Sequence, residues 1–189
     1  MKALTTLTFF ALAASFILSG CLTAERKVMT LHVNPDGTGS GSIVFYNVKS
    51  MQEDDVDRSY ADYSRLIDTW LHGDAFEQAN PALYNVHKRL FADGNKLNGE
   101  ITFDFYHYSD IGLYRHNDVG PWMYYAHLNT SEIEQFDTAN GQFGGDFMPV
   151  IFWPEGTTEF EIENSFETGE RPEISLYPIF ERIGVEPKN

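Results

Sequence analysis

Residues 27–46 read KVMTLHVNPDGTGSGSIVFY. Met29, Leu31 and Val33 fall on one side of an alternating run, and Val28, Thr30 and His32 on the other, the pattern of a strand with one buried face. Ile43-Val44-Phe45-Tyr46 is a second run of β-branched and aromatic residues. Between them, Asn34-Pro35-Asp36-Gly37 has turn chemistry: proline presets φ and glycine accepts a positive one. Two strands around a tight turn make a β-hairpin. Two other readings of this glycine-rich joint fail. A phosphate cradle needs a helix opening directly after the loop and usually a lysine, whereas a strand follows here and no lysine is present. A calcium loop needs a bidentate carboxylate where Phe45 stands.

The same patterns elsewhere in the chain predict more hairpins and two helices. Tyr60, Tyr63, Ile67, Trp70 and Leu71 recur at helical spacing, predicting a helix from Ser59 to Leu71 with an aromatic core face. Val86–Ala92 and Leu97–Tyr108 flank Asp93-Gly94-Asn95-Lys96 as a second hairpin. Met123–Leu128 reads as a strand, and Ser131–Phe136 as a strand or a short capped helix. Val150–Trp153 and Glu159–Asn164 flank Pro154-Glu155-Gly156 as a third hairpin. In it, Glu159, Glu161 and Glu163 form an acidic ladder opposite Phe160 and Ile162. Leu176, Ile179, Phe180 and Ile183 predict a closing helix over 175–184, with Pro178 in its first turn, where proline is tolerated. The expected fold class is therefore α+β: an antiparallel sheet built from hairpins, with two main helices packed on one face.

Ahead of this domain stands a leader. Lys2 supplies its positive charge, and 3–18 is apolar and uncharged, too short for a comfortable membrane span. It ends in Leu18-Ser19-Gly20-Cys21, which resembles the bacterial lipobox and contains the only cysteine of 189 residues. The resemblance implies cleavage before Cys21 and a diacylglycerol, with further acylation such as palmitate, on that residue. It makes the chain a lipoprotein of the bacterial cell envelope. Because Leu22 rather than aspartate follows the cysteine, the outer membrane is the expected location. The domain organisation is then 1–20 signal peptide, 21–26 lipidated cysteine and short tether, and 27–186 a single α+β domain. Two or more acyl chains anchor stably where one is marginal.

The formal charge is −15. That excludes the basic footprint of a nucleic-acid binder and electrostatic docking on anionic lipid. With Cys21 lipidated no disulfide forms, and burial must supply the stability. The order of the Asn-Pro-Asp-Gly hairpin, an acidic helix, GNKLNGEITFDFYHYSDIGLYR (94–115), GPWMYY (120–125) and GGDFMPVIFW (144–153) resembles uncharacterised lipoproteins common in Bacteroidota-type bacteria. This resemblance supports the location and assigns no catalytic residue.

No metalloprotease or nucleophile-elbow motif occurs, and the six histidines lack zinc-site spacing. The expectation is a noncatalytic envelope or interaction module, with no catalytic residue, no metal and no cofactor beyond the lipid on Cys21. Its candidate interaction surface is Tyr106, Tyr108, Tyr114, Trp122 and Tyr124, where aromatic rings offer amphipathic contact to an envelope protein or a glycan. Tyr125 neighbours that cluster in sequence. The alternative is a metal-dependent or hydrolase-like enzyme built on His107, Asp110, His116 and Asp118. That reading requires the four to converge on one pocket.

Overall fold

The computed structural model describes residues 22–52, 56–116, 119–128, 130–131 and 133–185. The leader, Cys21 and Asp118 lie outside them. The described chain opens with β1 (Leu22–Thr23), β2 (Arg26–Val33), β3 (Gly39–Tyr46) and β4 (Lys49–Met51). Helix α1 (Ser59–Arg65) runs on into a π-helical segment (Leu66–Leu71), followed by α2 (Ala75–Ala79). Next come β5 (Leu83–Asp93), β6 (Lys96–Phe105), a 3-10 turn (Tyr108–Ile111), β7 (Trp122–Tyr125), β8 (Glu134–Ala139) and β9 (Gln142–Phe143). The described chain closes with β10 (Val150–Trp153), β11 (Glu159–Phe166), β12 (Glu173–Ser175) and α3 (Tyr177–Ile183).

The hairpin over 27–46 is the centre of the fold. β2 and β3 pair from Val33↔Gly39 to Arg26↔Tyr46, inside a six-stranded antiparallel sheet ordered β5-β6-β3-β2-β11-β8. Its inner face carries Met29, Leu31, Val33, Ile43, Phe45, Ile101, Phe103, Phe105, Phe160 and Ile162, all buried. The glycines of β3 are there because β6 places phenylalanines over them. A Cβ on Gly39 would lie 2.0 Å from the His32 carbonyl oxygen and 2.4 Å from the Phe105 ring.

The α+β expectation of two main helices over one sheet is overturned. Among the described residues the fold is mostly β, with three antiparallel sheets and only short helices. Besides the six-stranded sheet there are two small ones, β7-β10-β9 and β1-β4-β12. The physical reason lies in the aromatics of 122–153. Trp122 and Trp153 both meet Phe160 edge-on, at 5.4 and 5.2 Å between centroids, so strands cover much of the apolar face that helices were expected to cover. Of the stripe over 59–71, Tyr63, Ile67 and Trp70 are buried, as is Leu66 outside it, but Tyr60 stays exposed. The α-helix gives way to π geometry at Leu66, where the His72 N–H reaches back to the Ile67 carbonyl.

Two further expectations change. The third hairpin is not one ladder: β10 belongs to a small sheet and β11 to the large one, so Pro154–Thr157 is a corner between sheets. The stretch 22–26 is not a tether. Leu22 and Thr23 pair with Ser50 and Lys49, and Leu22, Thr23 and Ala24 are all buried. Among the described residues, no helix is long and apolar enough to cross a membrane.

Candidate functional site

A cleft of about 460 Å³ opens where the turn at 33–37, the corner at 155–158 and His107, Tyr108, Arg115 and Trp122 meet. Its first wall is the turn itself. The Gly37 N–H donates to the Asn34 carbonyl and the Asn34 N–H to the Thr38 carbonyl, at 2.9 and 2.8 Å. Asp36 Oδ1 accepts from the Thr38 hydroxyl at 2.7 Å and from the Thr38 N–H at 3.0 Å. Those two bonds, the hydroxyl's foremost, hold the Asp36 carboxyl below its usual range. Gly37 takes φ +87°, and a Cβ there would touch the His107 and Tyr108 rings at 3.5 Å.

The second wall is the start of the 3-10 turn. His107 Nδ1 accepts from the Ser109 N–H at 3.2 Å, which leaves Nε2 as the protonated nitrogen. The Asp110 carboxylate accepts the His107 backbone N–H at 2.9 Å, completing a capping box. Tyr108 lies buried beneath, edge-on to Trp122 at 4.9 Å.

The third wall carries the charge. Tyr114 and Met123 form an isolated antiparallel bridge, exchanging N–H···O bonds of 2.9 and 2.8 Å. This register sets Arg115 opposite Trp122, and the guanidinium lies 4.3 Å from the ring centroid, a cation–π contact. The Trp122 indole N–H donates to the Glu155 carbonyl at 3.1 Å, pinning the corner down. The Arg115 side chain is only 16 % exposed, and the nearest carboxylate among the described residues, Glu155, stands 3.8 Å away and is 65 % exposed itself. Arg115 Nε is buried without a hydrogen-bond partner.

The residues singled out from sequence are divided by this geometry. Tyr108 and Trp122 reach the cleft but as its buried floor, with Trp122 3 % exposed. Tyr124 is in the core. Tyr106 and Tyr114 are exposed, at 66 and 55 %, and Tyr106 stacks on Tyr84 at 4.2 Å. The five rings therefore form no contiguous exposed patch. Of the enzyme set, His107 and Asp110 come together only as a helix cap, and neither Asp110 nor His116 lines the cleft. Asp118 and the lipidation residue Cys21 lie outside the described residues. Among the described residues, no group of three or more His, Cys, Asp or Glu is placed to hold a metal.

Sequence reasoning missed Asp36, Arg115 and Glu155. One signal could have found Arg115: it is a lone cation between Tyr114 and Trp122, beside a Gly120-Pro121 turn. A shallower depression of about 450 Å³ lies on the open face of the large sheet, floored by Ser40, Ser42, Thr30 and Thr102. Its rim acids are already engaged, Glu159 by His32 at 2.5 Å and Asp104 by Asn85 at 2.8 Å. The acidic ladder sits on this same face, with Glu163 paired to Arg26 at 3.1 Å. Compared with protein-family models, with curated proteins and with solved structures, the chain matches none of them.

Proposed function

We propose that this protein is a lipid-anchored, noncatalytic binding module of the bacterial cell envelope, held at the outer membrane through Cys21, whose ligand enters the Arg115 cleft. The observation that carries the binding reading is Arg115 itself: a largely covered guanidinium, fixed over Trp122, whose nearest carboxylate among the described residues is too far for a hydrogen bond. Recognition sites are concave and carry a few preset polar groups, and this cleft has both properties. The enzyme alternative gains no comparable support, since the Asp110 carboxylate is committed to a backbone N–H.

The anchoring reading rests on the lipobox resemblance and on the resemblance to envelope lipoproteins. With lipid on Cys21, the burial of Leu22–Ala24 leaves no flexible stalk. The domain then stands directly on the bilayer. β2 has eight residues, so about 26 Å of strand separates its anchored end from the cleft at Val33 and Asn34. Acyl chains do the holding, because a chain of charge −15 gains nothing from anionic headgroups.

The test is site-specific photocrosslinking in the native envelope. A photoreactive residue at Thr158, on the cleft rim, is expected to give a discrete adduct, and one at Asn95, in the turn at the other end of the sheet, none. Identical adduct patterns at both positions, or none at Thr158, refute the cleft as the binding site. Cys21→Ser is expected to move the protein from the membrane to the soluble fraction; retention on the membrane refutes the anchor.

A further inference from the structure

Arg115 differs from four other cations of the described residues. Arg26, Lys49, Lys88 and Lys96 meet Glu163, Glu173, Glu77 and Glu25 at 3.1, 2.6, 2.8 and 2.7 Å. Arg115 reaches Glu155 only at 3.8 Å. Taking a guanidinium most of the way out of water without an acceptor is unfavourable. Its rigid fork matches a planar carboxylate or a phosphate, bonding through two parallel N–H donors.

Charge separates those two. Asp36 and Glu155 line the same cleft, and the whole chain carries −15. A phosphate dianion would meet two carboxylates at close range and a repelling field at long range. A carboxylate that brings its own cation meets neither problem. Asp36 engages Thr38 through Oδ1, leaving Oδ2 for a ligand. Glu155 is mostly in solvent, and its weak hold on Arg115 is readily exchanged. The His107 imidazole adds a polar group on the turn side. The volume of about 460 Å³ suits a ligand of amino-acid to short-peptide size.

We infer that the cleft takes a small ammonium carboxylate, its carboxylate bidentate on Arg115 and its ammonium on Asp36 and Glu155. This inference rests on the cleft being the binding site. A free amino acid and a peptide of two or three residues share this chemistry, and the test separates them.

The experiment is isothermal titration calorimetry on the full chain, extracted in detergent. The probes are alanine, dialanine, trialanine, alaninamide, acetate and inorganic phosphate. At least one zwitterion is expected to bind at about 1 mM or tighter, an affinity within reach of so few atoms. Alaninamide and acetate, each lacking one charge, are expected to bind about tenfold more weakly. The source is a free amino acid if alanine binds best, and a peptide if dialanine or trialanine does.

Arg115→Lys keeps the charge and loses the fork, and a loss of about tenfold for every zwitterion is expected. Glu155→Gln, at an exposed position, is expected to weaken the zwitterions and leave acetate unchanged or tighter. A thermal melt of each variant shows that it is folded. Equal binding of alaninamide and alanine, unchanged affinity in Arg115→Lys, or silence from every zwitterion overturns the inference. A Thr158 adduct in the envelope together with calorimetric silence overturns the ligand class while the cleft reading stands. Absence of both overturns both.

Discussion

Lys27 sits on the inner face of β2, where alternation alone would place an apolar residue. It forms an ion pair with Glu134 of β8, and both side chains are almost wholly buried, 8 and 4 % exposed. Asn164, between them on β11, donates to Glu134 Oε1 at 2.6 Å. Lys27→Met removes the cation, keeps the volume, and leaves a buried carboxylate with one amide partner. Breaking a buried pair from one side costs about 3–5 kcal/mol. At about 2–4 °C per kcal/mol for a domain of this size, the midpoint of thermal unfolding falls by roughly 6–20 °C. Removing both charges in Lys27→Met/Glu134→Leu leaves only the Asn164 amide without its acceptor, a cost of about 1–3 kcal/mol. The double variant is therefore expected to be more stable than the single one. Urea unfolding at neutral pH, followed by tryptophan fluorescence, measures both. A single-variant loss below about 1 kcal/mol, or a double variant less stable than the single, refutes this account of the pair.

Gly39→Ala puts a Cβ against the His32 carbonyl oxygen, a backbone atom that cannot swing aside. A loss of about 3 kcal/mol or more is expected by the same urea titration, and a neutral outcome would mean that β2 and β3 can part at no cost. Tyr63→Phe removes the hydroxyl that donates to the Gly184 carbonyl at 2.6 Å, and a loss of about 1 kcal/mol is expected. Burial pushes the Tyr63 hydroxyl up to about 12, so in the wild type its ultraviolet ionisation should trail that of the exposed tyrosines; titration in step with them contradicts the burial. Hydrogen bonds from Lys96 and then Asn47 hold the Glu25 carboxyl below its usual range. The stability it adds is thus present above the unfolded pKa, near 4.5, and is lost as pH falls through the lower folded value. Glu25→Gln is expected to cost under about 1 kcal/mol at pH 7 and to converge with the wild type in strong acid. A gap that persists or widens on acidification refutes the assignment.

Much of the local structure was legible because it depends on neighbours in sequence. Alternation across 27–46 and Asn34-Pro35-Asp36-Gly37 give the central hairpin, and 93–96 gives the second turn, with its strand ends displaced by one to three residues. The helical stripe at 59–71 marks Tyr63, Ile67 and Trp70 correctly, includes Tyr60 and Leu71, which are not buried, and misses the buried Leu66 and Asp62. It does not reveal the change to π geometry, because Tyr63, Ile67 and Trp70 share one face in either geometry. The candidate site was less legible. Tyr108 and Trp122 were singled out as aromatic contact surface and proved to be a buried floor, since ring count does not tell which side of a strand meets the core. Arg115 was passed over because an isolated arginine acquires meaning only from what faces it.

Beyond the charge, the sequence by itself determined the hairpin turns at 34–37 and 93–96 with the strands beside them, and the helical closing segment. All of these rest on interactions within about twenty residues. Only the tertiary structure decided that the 154–157 turn joins two sheets rather than two strands of one. It also decided that residues 22–24 belong to the fold, and that Lys27 meets Glu134 more than a hundred positions away. The cleft is of the same kind: Asp36, Arg115 and Glu155 are brought together by the packing of Trp122 against Phe160. Local propensity and periodicity record how a segment prefers to bend, whereas the partner that buries its apolar face is chosen by the closure of the whole core.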